Sequence, residues 1–544
     1  MIINRTFWLI TILLLLVVTG LSLDLPMVVN AAKYAQVSRE ILDNGDWINL
    51  TIAGDPYDQK PPLMFWIGAL FFSILGVSTP VWKLSLLLVS GVGIYSTYRL
   101  GKLLYDETTG RLAALFWATS LGFLYFHNDI HIDTLLADTI TFSIWQLAAF
   151  FKSKKPAHFY LGMAGAGLSM LAKGPVGLAI PAFSTGFHLI MHKKWKEILH
   201  PRWIAGTLII AILIIPALVG LLNQFGPEGI KFYFWTNNMG RITGSYAGKN
   251  NDPFFYLHTS LYVLAPFTIF ALFGLGRKIA GYFREKGKVP PSFEFYTLGG
   301  IIPFFLILSV ARAKNPHYLM AVIPLFMILA AAFTASFSSD RIGKKVKKVV
   351  TRLNVFMSGL FWLVIFLFVF WLFPEKNPWY WAGLAVFAGI LIFFVRTYRG
   401  ISRQIAMLTI TILAFMFSLN ASLYPAMMKY HAPIHAVNDF NLQAAPGEKI
   451  HCYLPPARYW EVFFYSKNPG NYVVTQDQLP SLVSQTKDWV FTDQKGKDQI
   501  MRESPACEIV RVYDHSSLSK ITLPFLIPST RCEKLEKRYL LHLP

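Results

Sequence analysis

Residues 57–66 read YDQKPPLMFW, and this stretch decides how the chain is threaded through a membrane. Lys60 precedes two prolines, and an apolar run that reaches residue 77 follows at once. The run is short for a membrane-spanning helix, which needs about 20 apolar residues. Proline suits the first turn of a helix, where its missing N–H would have no partner in any case. Whether 61–77 crosses the bilayer sets the side on which every later loop lies.

The composition is that of a membrane protein. Of 544 residues, 54% are hydrophobic and 15% are charged, whereas soluble domains carry about 25% charged residues. A net charge of +20 would suggest nucleic acid for a soluble protein. Here most basic residues lie in short clusters between apolar runs, as they do in cytoplasmic loops. The sequence contains no nucleic-acid-binding motif, internal repeat or low-complexity segment.

Apolar segments that resemble membrane spans recur as far as residue 424. The first, 1–23, has no small-residue cleavage site, so we predict a retained helix whose Arg5 keeps its start in the cytoplasm. Besides 61–77, the other candidates are 80–103, 109–127, 135–151, 157–172, 175–191, 203–222, 256–275, 294–311, 316–337, 355–373, 378–395 and 405–424.

The basic loops select one threading. Loops rich in lysine and arginine should be cytoplasmic, and these are 99–111, 152–155, 193–196, 277–288, 341–352 and 396–403. If 61–77 crossed the membrane, the later clusters would lie outside. If it lies in the interface, or dips in and returns, all of them lie inside. We therefore predict an α-helical polytopic membrane protein of about 13 spans, with a cytoplasmic N-terminus and an external C-terminus.

The chain divides into three predicted parts: a transmembrane module at 1–335, additional membrane helices at 336–425, and a small external α/β domain at 426–544. The last part alternates strand-like runs with the helical LPSLVSQT. These runs are IHCYLP (450–455), YWEVFFYS (459–466), NYVVT (471–475), DWVFTD (488–493) and EIVRVY (508–513). Its cysteines, Cys452, Cys507 and Cys532, are odd in number and leave open whether one disulfide forms.

Two features of the external side indicate chemistry. Residues 31–42 form a predicted amphipathic helix, which Gly45 ends. The turn HNDIHIDTLLAD then places Asp129, His131 and Asp133 at span ends, where carboxylates are costly and often functional. A plain loop and a solvated turn are the alternative interpretations. Asp138, one turn deeper, is more typical of a structural residue.

Five cations also stand near external span ends, against the rule for loop charges: Lys60, Lys173, Arg241, Arg312 and Lys314. His317 and Tyr318 follow the last of them. A single external cation is often an interface anchor. Five together predict a bound anionic group, for which a phosphate is the natural candidate.

The order of these motifs resembles the membrane glycosyltransferases of the GT-C class, in the bacterial branch of the lipid A aminoarabinose transferase and protein O-mannosyltransferase-like enzymes. The matching stretches are AAKYAQVSREILDNGDW, YDQKPPLMFW, DIHIDTLL, LAKGPVGL, FYFWTNNMGRITG and ARAKNPHYLMAVIPL. The resemblance implies a catalytic module at 1–335 and a polyprenyl-phosphate-linked sugar as donor. It implies transfer with inversion to a lipid A-like lipid or a protein, at the periplasmic face of the bacterial inner membrane. No other cofactor and no nucleic-acid partner is implied, and no metal-ligand spacing is present.

Carried over by position, the resemblance assigns a phosphate and lipid site to Lys33, Tyr34, Lys60, Lys173, Arg241, Arg312, Lys314 and Tyr318. It assigns the catalytic positions to Asp133, Asn30 and Asp129. Asn30 departs from the family, which commonly has an aspartate there, and an amide is no carboxylate base. Asp133 or Asp24 takes the role, or Asn30 positions an acceptor that needs no base, or the chain is inactive. His131 stands where an arginine is common. A lipid-linked sugar transporter or flippase is the remaining alternative.

Overall fold

The computed structural model describes residues 3–248, 250–284, 290–337, 342–453, 459–473, 476–484, 487–518 and 521–544. The predicted basic clusters at 277–288 and 341–352 lie partly outside the described residues. Helices dominate the chain as far as residue 443, and a mixed sheet follows. Among the described residues, seven helices are long and apolar enough to cross a membrane. The chain is therefore a multi-pass membrane protein, while the count of 13 spans remains a prediction.

The first half of the helical part begins with α1 at Arg5–Leu23 and then forms the two helices of the loop that is predicted to be external. These are α2 at Asn30–Asn44 and α3 at Leu63–Leu75, with a small hairpin of β1, Thr51–Ile52, and β2, Asp55–Pro56, between them. Further helices follow at α4 Thr79–Leu104, α5 Glu107–Ala118, α6 Leu121–Asn128, α7 Ile132–Ser153, α8 Pro156–Lys173, α9 Val176–Met191, α10 Trp195–Ile198 and α11 Arg202–Lys231.

The second half contains more broken helices. A π-helical turn at Phe232–Thr236 leads into α12 at Asn237–Thr243, and a 3-10 segment at Pro316–Val322 leads into α16. The helices are α13 Phe255–Val263, α14 Thr268–Arg284, α15 Tyr296–Val310, α16 Ile323–Ala335, α17 Lys344–Phe366, α18 Pro378–Thr397, α19 Gly400–Ser418 and α20 Tyr424–Met428. Two more π-helical segments, Leu367–Leu372 and Leu419–Leu423, extend α17 and α19.

The helix α3 is too short to cross a bilayer. Its 13 residues give a length of about 20 Å, against a hydrocarbon core of about 30 Å. It packs closely on its neighbours at Gly68, where a Cβ would stand 1.8 Å from the Trp82 ring and 2.7 Å from the Ser38 hydroxyl. The small residue therefore lets α2, α3 and α4 meet. This geometry agrees with a run that opens at Pro61–Pro62 and does not span.

Loops that the sequence places on the same side contact each other. The Tyr105 hydroxyl donates to Glu294 at 2.6 Å, and the Lys278 ammonium lies 2.9 Å from the same carboxylate. Arg202 and Lys154 both pair with Glu197. The predicted cytoplasmic loops thus gather at one end of the helix bundle.

Two predicted spans are interrupted. The segment 109–127 breaks between α5 and α6, where the Ser120 hydroxyl accepts the amide of Phe123 at 3.2 Å and caps α6. The segment 256–275 breaks at Leu264–Phe267, between α13 and α14. The two breaks meet, because the amide of Leu121 donates to the carbonyl of Ala265 at 2.7 Å. Each break therefore satisfies backbone groups of the other, as a low-dielectric environment requires.

The C-terminal part forms a five-stranded sheet in the order β4-β3-β5-β7-β6. The strands are β3 Ile450–Tyr453, β4 Pro469–Val473, β5 Trp489–Asp493, β6 Glu508–His515 and β7 Glu536–His542. The first three are parallel, and β7 runs antiparallel to both β5 and β6, with Trp489 opposite His542. Helices accompany the sheet at α21 Ala432–Gln443, α22 Trp460–Tyr465, α23 Leu479–Val483, α24 Gln494–Glu503, α25 Leu523–Leu526 and α26 Pro528–Arg531.

One predicted strand is wrong, and one strand was missed. The run 459–466 is the helix α22, in which Trp460 through Phe464 are all buried. A short run that is apolar on all sides has no periodicity with which to tell strand from helix. The missed strand, β7, lies inside the sheet although its first half is charged. The boundaries of the three predicted parts remain predictions.

The cysteines give a test of the predicted orientation. All three are free, with Cys452 and Cys507 buried and Cys532 exposed. We expect a membrane-impermeant maleimide to label one thiol per chain in right-side-out spheroplasts, and Cys532→Ser to abolish the labelling. Labelling that requires disruption of the membrane would place the C-terminal part on the cytoplasmic side.

Candidate active site

A buried ion pair stands at the centre of the predicted site. Asp133 lies in the first turn of α7 and is 1% exposed, and its carboxylate pairs with the ammonium of Lys173 at the end of α8. Gly174, with φ +79°, ends α8 directly after the lysine. A cation at a helix C-terminus is favoured by the helix dipole. Two consecutive helices are thus joined by opposite charges, at positions 40 residues apart.

Tyr318 connects this pair to Arg241. The Lys173 ammonium lies 4.3 Å from the centre of the Tyr318 ring. Arg241 donates from Nη1 to the Tyr318 hydroxyl at 2.8 Å and from Nε to the Oδ1 of Asn237 at 2.9 Å. The side-chain Nδ2 of Asn315 donates to the same hydroxyl at 3.1 Å. The aromatic ring therefore holds two cations, one on its face and one at its hydroxyl.

Lys60 completes the cluster from the loop before α3. Burial, together with the positive charges of Lys173 and Arg241, lowers the pKa of Lys60 to about 7. Within the part of the chain that the structure describes, the Lys60 ammonium donates no hydrogen bond to another residue. An ammonium that is desolvated and repelled by like charges gains most from a bound anion.

These cations close one end of an apolar cavity of about 310 Å³. Lys60, Lys173, Arg241, Asn237 and Tyr318 supply its polar lining. Its other walls are apolar side chains of α9 and α15 and their neighbours: Val176, Ala179, Phe183, Phe304, Ile307 and Leu308. A slot with several cations at one end and apolar walls along the rest fits a molecule with an anionic head and a hydrocarbon tail.

A second cavity, of about 400 Å³, lies on the other side of the turn at residues 129–133, which we call the carboxylate turn. Asn30, Asn128, Asp129, His131 and Asn420 supply its polar groups. The His131 Nε2 lies 2.7 Å from the Asp129 carboxylate, whose side chain is 42% exposed. Its apolar walls come largely from the later helices and the C-terminal part, and include Phe368, Leu419, Leu423, Leu518 and Leu526.

The helix α2 lies between the two cavities. Burial and the carboxylates of Asp133 and Asp129 raise the pKa of Tyr34, which places this phenol close to both acids. Lys33 donates to the side-chain carbonyl of Gln59 and lies 5.1 Å from the centre of the Tyr57 ring. Asn30 is exposed at the start of the helix, toward the second cavity. The helix is more enclosed than a surface helix, since Tyr34, Val37 and Ile41 are all buried.

Two predicted cations do not line either cavity. The Lys314 ammonium donates to the carbonyls of Asp252 and Ser309, at 2.7 and 2.8 Å. Arg312 has an exposed side chain, and its backbone N–H donates to the carbonyl of Ile242 at 3.1 Å. Arg312 therefore fastens α12, which carries Arg241, and Lys314 fastens the loop after it. Asp24 is exposed, and Asp138 accepts the Ser90 hydroxyl at 2.7 Å inside the helix bundle.

The structure also gathers a set of groups that sequence spacing does not reveal. His131, Asp133 and His317 offer one ligand atom each within 4.8 Å of one another. Their spacing hides the cluster because His317 comes from a distant segment. The charge of the surroundings opposes a dication, since Lys173 already neutralises Asp133 and Lys60 and Arg241 lie nearby. Lys60, Lys173 and Arg241 favour a bound anion instead.

The chain is similar in sequence to known proteins. The profile of the family described as "Dolichyl-phosphate-mannose-protein mannosyltransferase" matches residues 59–219. An undecaprenyl phosphate-alpha-4-amino-4-deoxy-L-arabinose arabinosyl transferase of Edwardsiella ictaluri is 26% identical over 325 residues, 58% of this chain and 56% of that protein. The Yersinia pestis protein of the same name is 24% identical over 374 residues, 66% of this chain and 65% of that protein. The chain thus matches less than two thirds of each relative's length.

The fold likeness extends over the whole chain. The crystal structure of ArnT from Cupriavidus metallidurans bound to undecaprenyl phosphate superposes with a TM-score of 0.75 and 16% identity, covering 99% of this chain and 98% of that one. The apo structure of the same protein gives the same values. At this identity the likeness shows the fold alone. The chain therefore has the polytopic fold of that protein, and its predicted resemblance to the GT-C class of membrane glycosyltransferases is confirmed.

Proposed function

We propose that this chain is an inverting glycosyltransferase that moves a sugar from a polyprenyl-phosphate-linked donor to a lipid acceptor at the periplasmic face of the bacterial inner membrane. One observation carries the proposal above the others. Lys60, Lys173 and Arg241 converge at the end of an apolar cavity. The glycosyltransferase names of its relatives support the same reaction class.

The first cavity suits the donor. Its apolar walls suit the first isoprene units of a polyprenyl chain, and its cationic end suits the phosphate. The phosphate is also the leaving group, so the negative charge on it grows as its bond to the sugar breaks. Fixed cations at that position stabilise the transition state more than the bound donor. ArnT, which shares the fold, has been solved with undecaprenyl phosphate bound.

The two aspartates suit different tasks. Asp133 is buried and holds Lys173 toward the phosphate end, whereas Asp129 faces the second cavity beside His131. In the proposed step the acceptor hydroxyl oxygen attacks the anomeric carbon and its proton passes to the Asp129 carboxylate. The bond from that carbon to the phosphate oxygen breaks, and the bonding electrons leave with polyprenyl phosphate. Attack from the side opposite the phosphate inverts the anomeric centre.

The second cavity supports a lipid acceptor. Its polar groups lie at the carboxylate turn, and its apolar walls, among them Phe368 and Leu423, extend away from it. An amphipathic acceptor with a hydroxyl at its head matches this layout better than an extended polar peptide. Mass spectrometry can compare the envelope of a deletion strain with that of the wild type. Loss of sugar from envelope proteins rather than from lipids would assign a protein acceptor instead.

We expect Asp129→Asn and Asp133→Asn each to slow transfer by about 10²-fold or more, but for separable reasons. Asp129→Asn removes the proposed base and leaves the cation cluster intact, so binding of undecaprenyl phosphate should be unchanged. Asp133→Asn leaves Lys173 without its partner and should change that binding too. Binding to detergent-purified protein and release of polyprenyl phosphate measure the two effects. Near-normal rates in both variants would remove these assignments.

The pH dependence of donor binding should follow Lys60. Its pKa of about 7 means that the charged form predominates below pH 7 and is lost above it. The donor phosphodiester keeps one negative charge throughout, so its affinity should fall as pH rises, by up to about tenfold per unit above pH 7. Lys60→Ala should lower both affinity and rate by about 10²-fold. Lys60→Arg should bind with little pH dependence, and the same pH profile in this variant and in the wild type would exclude Lys60.

A substitution at Asn30 can tell whether this chain is an active enzyme or an inactive relative. Suppose that Asn30 positions the acceptor while Asp129 acts as base. Asn30→Asp should then leave an existing transfer activity unchanged or reduce it, because a second carboxylate near Asp129 disfavours the ionised form of both. A wild type without turnover whose Asn30→Asp variant transfers sugar would show that this chain has lost the reaction. Turnover of a polyprenyl-phosphate sugar with membrane extract is the measurement.

A further inference from the structure

The C-terminal part reaches the proposed active site through its helix α22. Phe464 of α22 stacks on Phe72 of α3 with ring centres 6.3 Å apart. Arg39 of α2 donates to the carbonyls of Phe464 and Ser466, at 3.2 and 3.4 Å. Trp460 and Phe464 belong to the same buried apolar core as the membrane helices. The helix is therefore packed into the first-loop structure and is not a separate appendage.

Glu461 of α22 holds the start of α2. It is 0% exposed, and its Oε1 accepts the amide of Val29 at 2.6 Å and lies 3.1 Å from the Nε2 of His431. Val29 has φ 50° and ψ −110°, a conformation that a β-branched residue adopts only when its surroundings hold it there. The first amides of a helix also need acceptors. A buried carboxylate thus fixes a strained residue directly before Asn30.

Other contacts of α22 reach both sides of α2. The Tyr465 hydroxyl accepts the amide of Met27 at 2.7 Å and lies 2.9 Å from the Thr79 hydroxyl. The Trp460 ring lies 5.8 Å from the Lys33 ammonium, which donates to Gln59, the residue before Lys60. The same helix is thus connected to Asn30 on the acceptor side and to Lys60 on the donor side.

We propose that Glu461 is a positioning residue for the transfer reaction: from the C-terminal part it fixes Val29 and thereby sets where Asn30 stands relative to Asp129. The proposal rests on the proposed function for its kinetic consequence and on geometry for its structural one. Among the described contacts, no residue of the membrane helices accepts the amide of Val29 in place of Glu461. The catalytic site is therefore incomplete without the C-terminal part.

The test uses the full-length protein and the variant Glu461→Met, which keeps the length of the side chain and removes both acceptor oxygens. We expect faster amide hydrogen exchange over residues 27–33 and a fall of about 10- to 100-fold in kcat, since small misplacements of reacting groups cost this much. The KM for the donor should change less than threefold, because Lys173 and Arg241 are untouched. Glu461→Asp, which keeps the charge, should recover part of kcat and part of the protection.

A matched control separates positioning from general stability. Asp488 is a partly buried carboxylate of the same sheet, paired with His451 at 3.0 Å and accepting the amide of Lys449 at 2.8 Å. Asp488→Asn should lower Tm without changing exchange at 27–33 or kcat. Tyr465→Phe, which loses the bond to Met27, serves if Glu461→Met does not fold, and it should show the same exchange change in weaker form.

The outcomes divide clearly. Unchanged exchange at 27–33 in Glu461→Met, or an equal change in Asp488→Asn, overturns the positioning role. Faster exchange with an unchanged kcat overturns it as well. If the wild type transfers no sugar, the proposed function fails on its own, while faster exchange confined to the Glu461 and Tyr465 variants still supports the hold on α2.

Discussion

The ion pair between Asp133 and Lys173 is the constraint on which the site depends. A buried carboxylate and ammonium are each costly to desolvate, and removing one leaves the other uncompensated. The pair fixes the start of α7 against the end of α8, and Tyr318 and Arg241 are arranged around the lysine. Asp133 thus pairs with the cation cluster and lies in the same turn as Asp129. The charged groups around this pair therefore line the polar ends of both cavities.

The site combines three chain regions with distinct roles. The helix bundle supplies fixed cations and apolar walls, the first external loop supplies α2 and Lys60, and the C-terminal sheet supplies the helix that packs on α2. A lipid phosphate and a second amphipathic molecule can then approach the carboxylate turn from opposite sides. Such a layout suits a reaction between two lipids, because neither reactant has to leave its surroundings for its head to reach the other.

Much of this arrangement was predictable from local patterns. The helix at 31–42 was expected from its amphipathic spacing and from Gly45, and the structure has it at Asn30–Asn44, ending at that glycine in the left-handed region. The rule for loop charges groups Lys60, Lys173 and Arg241, and the family resemblance adds Tyr318. The structure lines one cavity with all four.

Other features lie beyond what a single sequence shows. Lys314 and Arg312 carry the same signal as Lys60, but their surroundings differ, since backbone carbonyls of a neighbouring loop satisfy Lys314. The helix at Trp460–Tyr465 resembles a strand because burial on every side removes the periodicity. Its contact with α2 joins residues more than 400 positions apart, as the Glu461 to Val29 bond does, and no local pattern reports that.

The paired interruptions near Ser120 and Ala265 have a consequence for how this bundle can change. A continuous helix satisfies its own backbone, whereas each interrupted one here borrows an acceptor or a donor from its neighbour. Straightening either would strand the amide of Leu121 or the carbonyl of Ala265 in an apolar setting. The two breaks therefore depend on each other: straightening one helix leaves a polar backbone group of the other without its partner.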